Sequence, residues 1–170
     1  INAEYGKQWY QRRVRALQIN QTDVFYCAQR QIGKPYQPNA AGPNTFDALG
    51  LVKYCLSTNG NHIVIRMNIQ NVTKYCSSNV TSFTENNSNT ITTGATNLTN
   101  AFTGDIVCHG QPRLINGQWQ TVFDSVGIIV GTVYNQLGYI SASITQRTVR
   151  ELRGDLNKNN VYKVFKYFRN

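Results

Sequence analysis

The sequence predicts one α+β domain, with helices first and an antiparallel sheet after them. Three observations carry this. Apolar residues recur at helical spacing in the first third of the chain, with stop signals at Gly33 and Pro35. Short segments rich in β-branched and aromatic residues fill the last third, punctuated by Gly and Asn. The length, 170 residues, supports one domain with a real core. A run of helices followed by a run of strands is the α+β order.

Residues 1–22 are read as an arm or helix ahead of the main domain, which takes residues 23–170. Tyr10, Val14 and Leu17 fall at i, i+4 and i+7, with Tyr5 and Trp9 as further aromatics and Arg12, Arg13 and Arg15 beside them. Such an amphipathic segment packs on its own domain or docks on a neighbour. A helix is predicted over 23–33, with Asp23 near its start. Tyr36 to Thr45 is a loop of Pro, Asn, Gly and Ala. A second helix starts at Asp47, its natural cap, and runs to about Leu56; Leu51, Tyr54 and Cys55 give it a buried face.

Asn59-Gly60-Asn61 is a turn signal, and His62 to Met67 alternates weakly, as a short strand would. Residues 77–104 are different in kind. Eighteen of these 28 residues are Ser, Thr or Asn and Glu85 is the one charged residue, so the stretch is expected to be a long polar insertion. Strands are predicted at Trp119–Phe123, Val126–Val130, Leu137–Ala142 and Val161–Phe168. Gly131, Asn135 and Gly154-Asp155 are read as turns between or near them.

The formal charge is +9, and the basic residues gather at the ends: six in the first 34 residues and seven in the last 24. An ordinary solvated surface explains such charge; an anionic partner is the sharper reading. No nucleic-acid module signature accompanies it, so nucleic acid is not expected as a partner. Residues 125–146 carry no charge, but Asn135, Gln136, Gly138, Ser141 and Ser143 interrupt the run, which excludes a membrane-spanning helix. Five glycosylation sequons occur, at Asn20, Asn71, Asn79, Asn86 and Asn97, four of them within residues 71–99. The four cysteines, Cys27, Cys55, Cys76 and Cys108, are even in number and show no CxxC spacing. With only His62 and His109 beside them they suit two disulfides of an extracellular, secreted protein better than a metal site, and no cofactor is expected. Three pairings are possible on sequence grounds.

Gly33, Pro35, Tyr36, Pro43, Phe46, Asp47, Gly50, Leu51, Val52 and Tyr54 resemble the opening signature of the NlpC family of papain-like cell-wall cysteine endopeptidases. In that signature Phe-Asp is followed by the nucleophilic Cys at a helix start. Here that position is Ala48, and the next is Leu49. The family's base His opens a strand of the form His-Val-Gly-Ile; here the strand reads Ser125-Val126-Gly127-Ile128. The third, orienting residue lies on the following strand, where Ser141 of Ile140-Ser141-Ala142-Ser143 is aligned with it. Gly104-Asp105-Ile106-Val107 resembles the family's approach to its first core strand. The resemblance spans about residues 24–170. It implies helices packed on a central antiparallel sheet, a groove marked by Tyr36, Gly42, Pro43 and Asp47, and first-to-second helix contact that favours Cys27–Cys55 and hence Cys76–Cys108.

The chemistry implied is a thiolate nucleophile activated by imidazole. Ala48 cannot attack a carbonyl, and Ser125 cannot serve as the base that imidazole would be. No relocated dyad is evident. Cys55 lies two turns beyond Ala48, and Cys108 and His109, adjacent on a strand, point to opposite faces. The expected function is therefore a non-enzymatic secreted glycoprotein using an inactive NlpC-like domain as a structural or self-assembly module. The alternatives are a pseudoenzyme binding peptidoglycan peptides or another cell-surface glycan, and an active cell-wall hydrolase with relocated residues.

Overall fold

The computed structural model describes residues 20–58, 71–77, 88–91, 101–134, 136–156 and 160–165. Among the described residues three helices come first: α1 (Asn20–Gln31), α2 (Ala48–Thr58) and α3 (Val72–Ser77). The strands are β1 (Ser88–Ile91), β2 (Ile106–Ile115), β3 (Gln118–Val133), β4 (Gln136–Ser143), β5 (Thr148–Asp155) and β6 (Val161–Phe165). They form one sheet, ordered β1-β6-β2-β3-β4-β5, with every pairing antiparallel. The α+β expectation holds.

Period-2 alternation sorts the strands' apolar residues to two faces. Ile106, Cys108, Val126, Ile128 and Ile140 meet the helices, which bring Val24, Cys27 and Ala28 from α1 and Leu51, Val52, Cys55 and Leu56 from α2. Val107, Ile129, Leu137, Tyr139, Tyr162 and Val164 form a second cluster. Each large aliphatic side chain buried this way contributes about 1.5–3 kcal/mol relative to exposure. Two disulfides lock the helical side. Cys27–Cys55 ties α1 to α2 with Cα atoms 5.5 Å apart, and Cys76–Cys108 ties α3 to β2 at 5.9 Å. Both pairings are those the family resemblance implied.

Four expectations are corrected. The segments Trp119–Phe123 and Val126–Val130 belong to one strand, β3. Its ladder with β2 passes from His109↔Ser125 to Gly110↔Phe123, so Asp124 is an extra, bulged residue. Asp124 and Ser125 interrupt the hydrophobic pattern but not the backbone pairing. Gly131 also lies within β3, beside a second register shift against β4. Gly154 and Asp155 lie in β5, ahead of the turn at Leu156. A Cβ at Gly154 would strike the Tyr162 hydroxyl, so Gly is there for space. The 77–104 stretch is not all loop, because Ser88–Ile91 adds an edge strand to β6.

The predicted arm residues Tyr5, Trp9, Tyr10, Val14 and Leu17 lie outside the described residues, as do His62–Met67 and the sequons at Asn79, Asn86 and Asn97. Asn20 opens α1. Asn71 is exposed and caps α3, its side-chain oxygen accepting the Lys74 backbone N–H at 3.0 Å. Among the described residues no helix is long and apolar enough to cross a membrane.

Candidate functional site: a cleft at the start of α2

Gly33 ends α1 in the left-handed region, φ 98°, and turns the chain onto the edge of β5. The Gly33 and Tyr36 N–H groups donate to the Val149 and Arg147 carbonyls at 2.9 and 3.0 Å, and Val149 N–H donates to the Lys34 carbonyl at 2.8 Å. This covers an edge that would otherwise be open. The loop then folds back. Phe46 is fully buried and stands edge-on to Tyr54, ring centroids 5.2 Å apart. Gly42, at φ 87°, packs under the same rings, where a Cβ would come within 2.6 Å of Phe46.

Asp47 caps α2. One carboxylate oxygen accepts the Gly50 N–H at 2.6 Å and the other the Asn39 N–H at 2.9 Å. Gly50 is needed where the Ala40 carbonyl presses against the helix start. Ala48 is thereby presented as the first residue of α2, at the helix's positive end.

A cleft of about 580 Å³ opens there, a size typical of small-ligand sites. Ala48 and Ser125 both line it, with Tyr36, Asp47, Asp124 and Tyr139, and the β4–β5 turn at 143–146 forms another wall. The bulge at Asp124 lets two consecutive residues of β3 face the same space. Gly42 and Pro43 are not among the lining residues; they support the loop from behind, the Pro43 carbonyl accepting from Lys34 Nζ at 2.8 Å.

Ser141 is not on the cleft either. It is buried, and its hydroxyl donates to the Val126 carbonyl at 2.7 Å. The side chain of β4 that reaches Ser125 is Tyr139, whose hydroxyl shares a 3.3 Å hydrogen bond with Ser125 Oγ. Gly127 makes room, because a Cβ there would come within 2.7 Å of the Tyr139 ring. Burial, and then the nearby Asp124 carboxylate, push the Tyr139 phenol up from its ordinary value, while the Ser125 hydrogen bond acts the other way. Tyr36 is also pushed up, by burial and then by Asp47. Both tyrosines are neutral hydrogen-bonding groups at physiological pH.

No cysteine is free, so the cleft has no thiolate available from this chain. His109 pairs with Ser125 in the strand ladder, but its ring is turned to Tyr162 at 5.2 Å and to Asn160 Oδ1 at 2.9 Å. Its Nδ1 is 3.9 Å from the Asp124 carboxylate. Cys108, its neighbour, faces the helices and is bonded to Cys76, as strand alternation requires. Among the described residues the lining includes two carboxylates, Asp47 and Asp124, and no Lys, Arg or His. In a chain of net charge +9 this is a local inversion of sign. Sequence reading had singled out neither Tyr139 nor the acidity of the cleft; the spacing Ser125 to Tyr139 holds no motif that marks it.

No protein-family model matches the sequence, and no curated protein matches it. Solved structures do. NlpC1 and NlpC2 from Trichomonas vaginalis align with TM-scores of 0.58 and 0.56, each at 18% identity over 91% of this chain. The alignments cover 46% and 48% of those chains, so this chain spans about half their length. An N-acetylmuramoyl-L-alanine amidase from Bacteroides uniformis aligns with a TM-score of 0.50 and 13% identity, over 89% of this chain and 99% of its own. The chain has an NlpC-like α+β fold.

Proposed function

We propose that this is an extracellular, non-catalytic NlpC-like domain that holds a ligand in the cleft instead of cleaving it. One observation carries the reading: the cleft is open, yet Ala48 and Ser125 stand where the resemblance expects a thiolate and an imidazole. Two disulfides support the extracellular location. The self-assembly reading rests on the arm, residues 1–22, whose Tyr5, Trp9, Tyr10, Val14 and Leu17 lie outside the described residues, so the cleft carries the proposal. Its lining suits an amine-bearing peptide, of the kind found in cell-wall stem peptides. Asp124 is half exposed and supplies negative charge, and Tyr36, Ser125 and Tyr139 supply hydroxyls.

The experiment is titration of the pure chain with soluble cell-wall peptides, alongside co-sedimentation with purified wall. Peptides bearing a free amine bind, their N-acetylated forms bind several-fold more weakly, and no cleavage product appears. Asp124→Asn weakens the interaction. Release of cleaved peptide, or no binding to wall or peptide at all, sinks the proposal.

A further inference from the structure

Beyond Gly110, strand β2 leaves β6, and before Ser125, β3 has not yet met β4. Residues 111–115 and 118–122 therefore pair only with each other among the described residues, as a two-stranded ribbon. The turn is Asn116-Gly117, both at positive φ (51° and 78°), the geometry of a tight hairpin turn. Five residues past Gly110 the tip stands about 17 Å beyond the sheet at strand rise. Every residue from 111 to 121 is exposed.

A ribbon in water should be polar at its tip. This one carries Trp119 at 72% exposure, Leu114 at 60% and Ile115 at 37%. Leu114 and Trp119 are directly paired and share one face, while Ile115, paired with Gln118, is on the other. The tip is thus apolar on both faces. A protein docked on the ribbon would cover one face and leave the other wet. A lipid interface wraps both. From His109 to Phe123 there is no carboxylate, Arg113 is the only permanent charge, and Gln111, Gln118 and Gln120 supply uncharged amides. The whole chain is strongly basic.

We propose that the β2–β3 hairpin is a membrane-surface anchor whose tip enters the interfacial zone of a bilayer containing anionic phospholipid. Trp119 sits at headgroup depth, as amphipathic rings do, with Leu114 level with it and Ile115 one residue deeper. Arg113 and the chain's net charge of +9 supply attraction to the anionic lipid. The outer edges of the ribbon, unpaired among the described residues, must stay solvated, so penetration stops at the interface. This inference is independent of what the cleft holds.

The test uses the full chain with Trp9→Phe, which leaves Trp119 as the sole tryptophan. Phosphatidylcholine vesicles with and without phosphatidylserine are titrated. The protein co-sediments with the phosphatidylserine vesicles, Trp119 emission shifts to the blue, and lipids brominated near the headgroup end of the chains quench it. Leu114→Asn and Trp119→Ser each lower the partition coefficient about tenfold, the effect of losing one deep apolar contact, with unchanged far-ultraviolet circular dichroism. The proposal is overturned by absent co-sedimentation, by unshifted Trp119 emission in vesicle-bound protein, by tip variants that bind like the parent, or by a lipid-free dimer that depends on Trp119.

Discussion

Removing the disulfides one at a time tests the reading of the helical layer. Cys27–Cys55 spans 28 residues and Cys76–Cys108 spans 32. Constraint of the unfolded chain grows only logarithmically with loop length, giving about 3.6 and 3.7 kcal/mol at 25 °C, nearly the same for both. All four cysteines are at most 1% exposed, so paired Ala substitutions also lose sulfur contacts and cost somewhat more. Against a typical total of about 5–15 kcal/mol, either loss is severe. The assay is urea denaturation of Cys27→Ala/Cys55→Ala and Cys76→Ala/Cys108→Ala, read by midpoint and slope. Similar, large losses are expected. Ligand binding separates the pairs. Cys76 is on α3, whose Val72 lines the cleft and whose Thr73 hydroxyl donates to the Phe123 carbonyl at 2.7 Å. The second variant should therefore weaken cleft binding more than the first. A loss below about 1 kcal/mol for either pair would show that the cross-link does not constrain the chain as loop entropy requires.

Two further predictions concern the cleft and the buried phenols. Ala48→Cys/Ser125→His should show no hydrolysis of wall peptide, because the Tyr139 hydroxyl already occupies the space beside residue 125; adding Tyr139→Asn should give measurable product, and turnover by the double variant alone would refute Tyr139 as the obstacle. Stability should fall as pH rises above about 10, since Tyr139 and Tyr162 are both pushed up chiefly by burial and stay neutral in the fold while the unfolded chain ionises. Lys163 is pushed down by burial and contributes the opposite slope, so Tyr162→Phe, compared with the parent by urea midpoint from pH 8 to 11, isolates the phenol: the variant should decline less.

The fold class was legible because the two periodicities are cleanly separated along the chain. Val24, Cys27 and Ala28 repeat at helical spacing, and Val126, Ile128 and Val130 alternate. β5 was not legible. It is an edge strand with Arg150, Glu151 and Arg153 among its eight residues, and Gly154 reads as punctuation until the Tyr162 hydroxyl is seen filling the space of a side chain. Edge strands are kept polar to prevent pairing with other chains, and that same polarity removes their sequence signal. The hairpin had a signal that could have been used: Asn116-Gly117 between Leu114-Ile115 and Trp119 is a tight-turn pair between apolar residues.

The site divides in the same way. Positions 48 and 125 could be singled out because each sits within a local motif whose neighbours, Phe46-Asp47 and Val126-Gly127-Ile128, answer backbone demands: a helix cap and a close approach at Gly127. The third position has no such local frame. Ser141 lies in the more motif-like tetrapeptide, but Gly127 opposes Ser141 in the ladder implied by Ile128↔Ile140. A Tyr two residues away can lay its ring over that glycine and deliver its hydroxyl to Ser125, whereas the short Ser141 side chain reaches only the Val126 carbonyl. The residue that meets position 125 is therefore decided by side-chain length across a glycine gap, a relation between strands that no spacing within one strand records. Tyr139 bridges the gap and is then itself buried. A phenol held neutral at that place can bind and orient a ligand but does not shuttle protons near neutral pH, which is consistent with the proposed ligand-holding role.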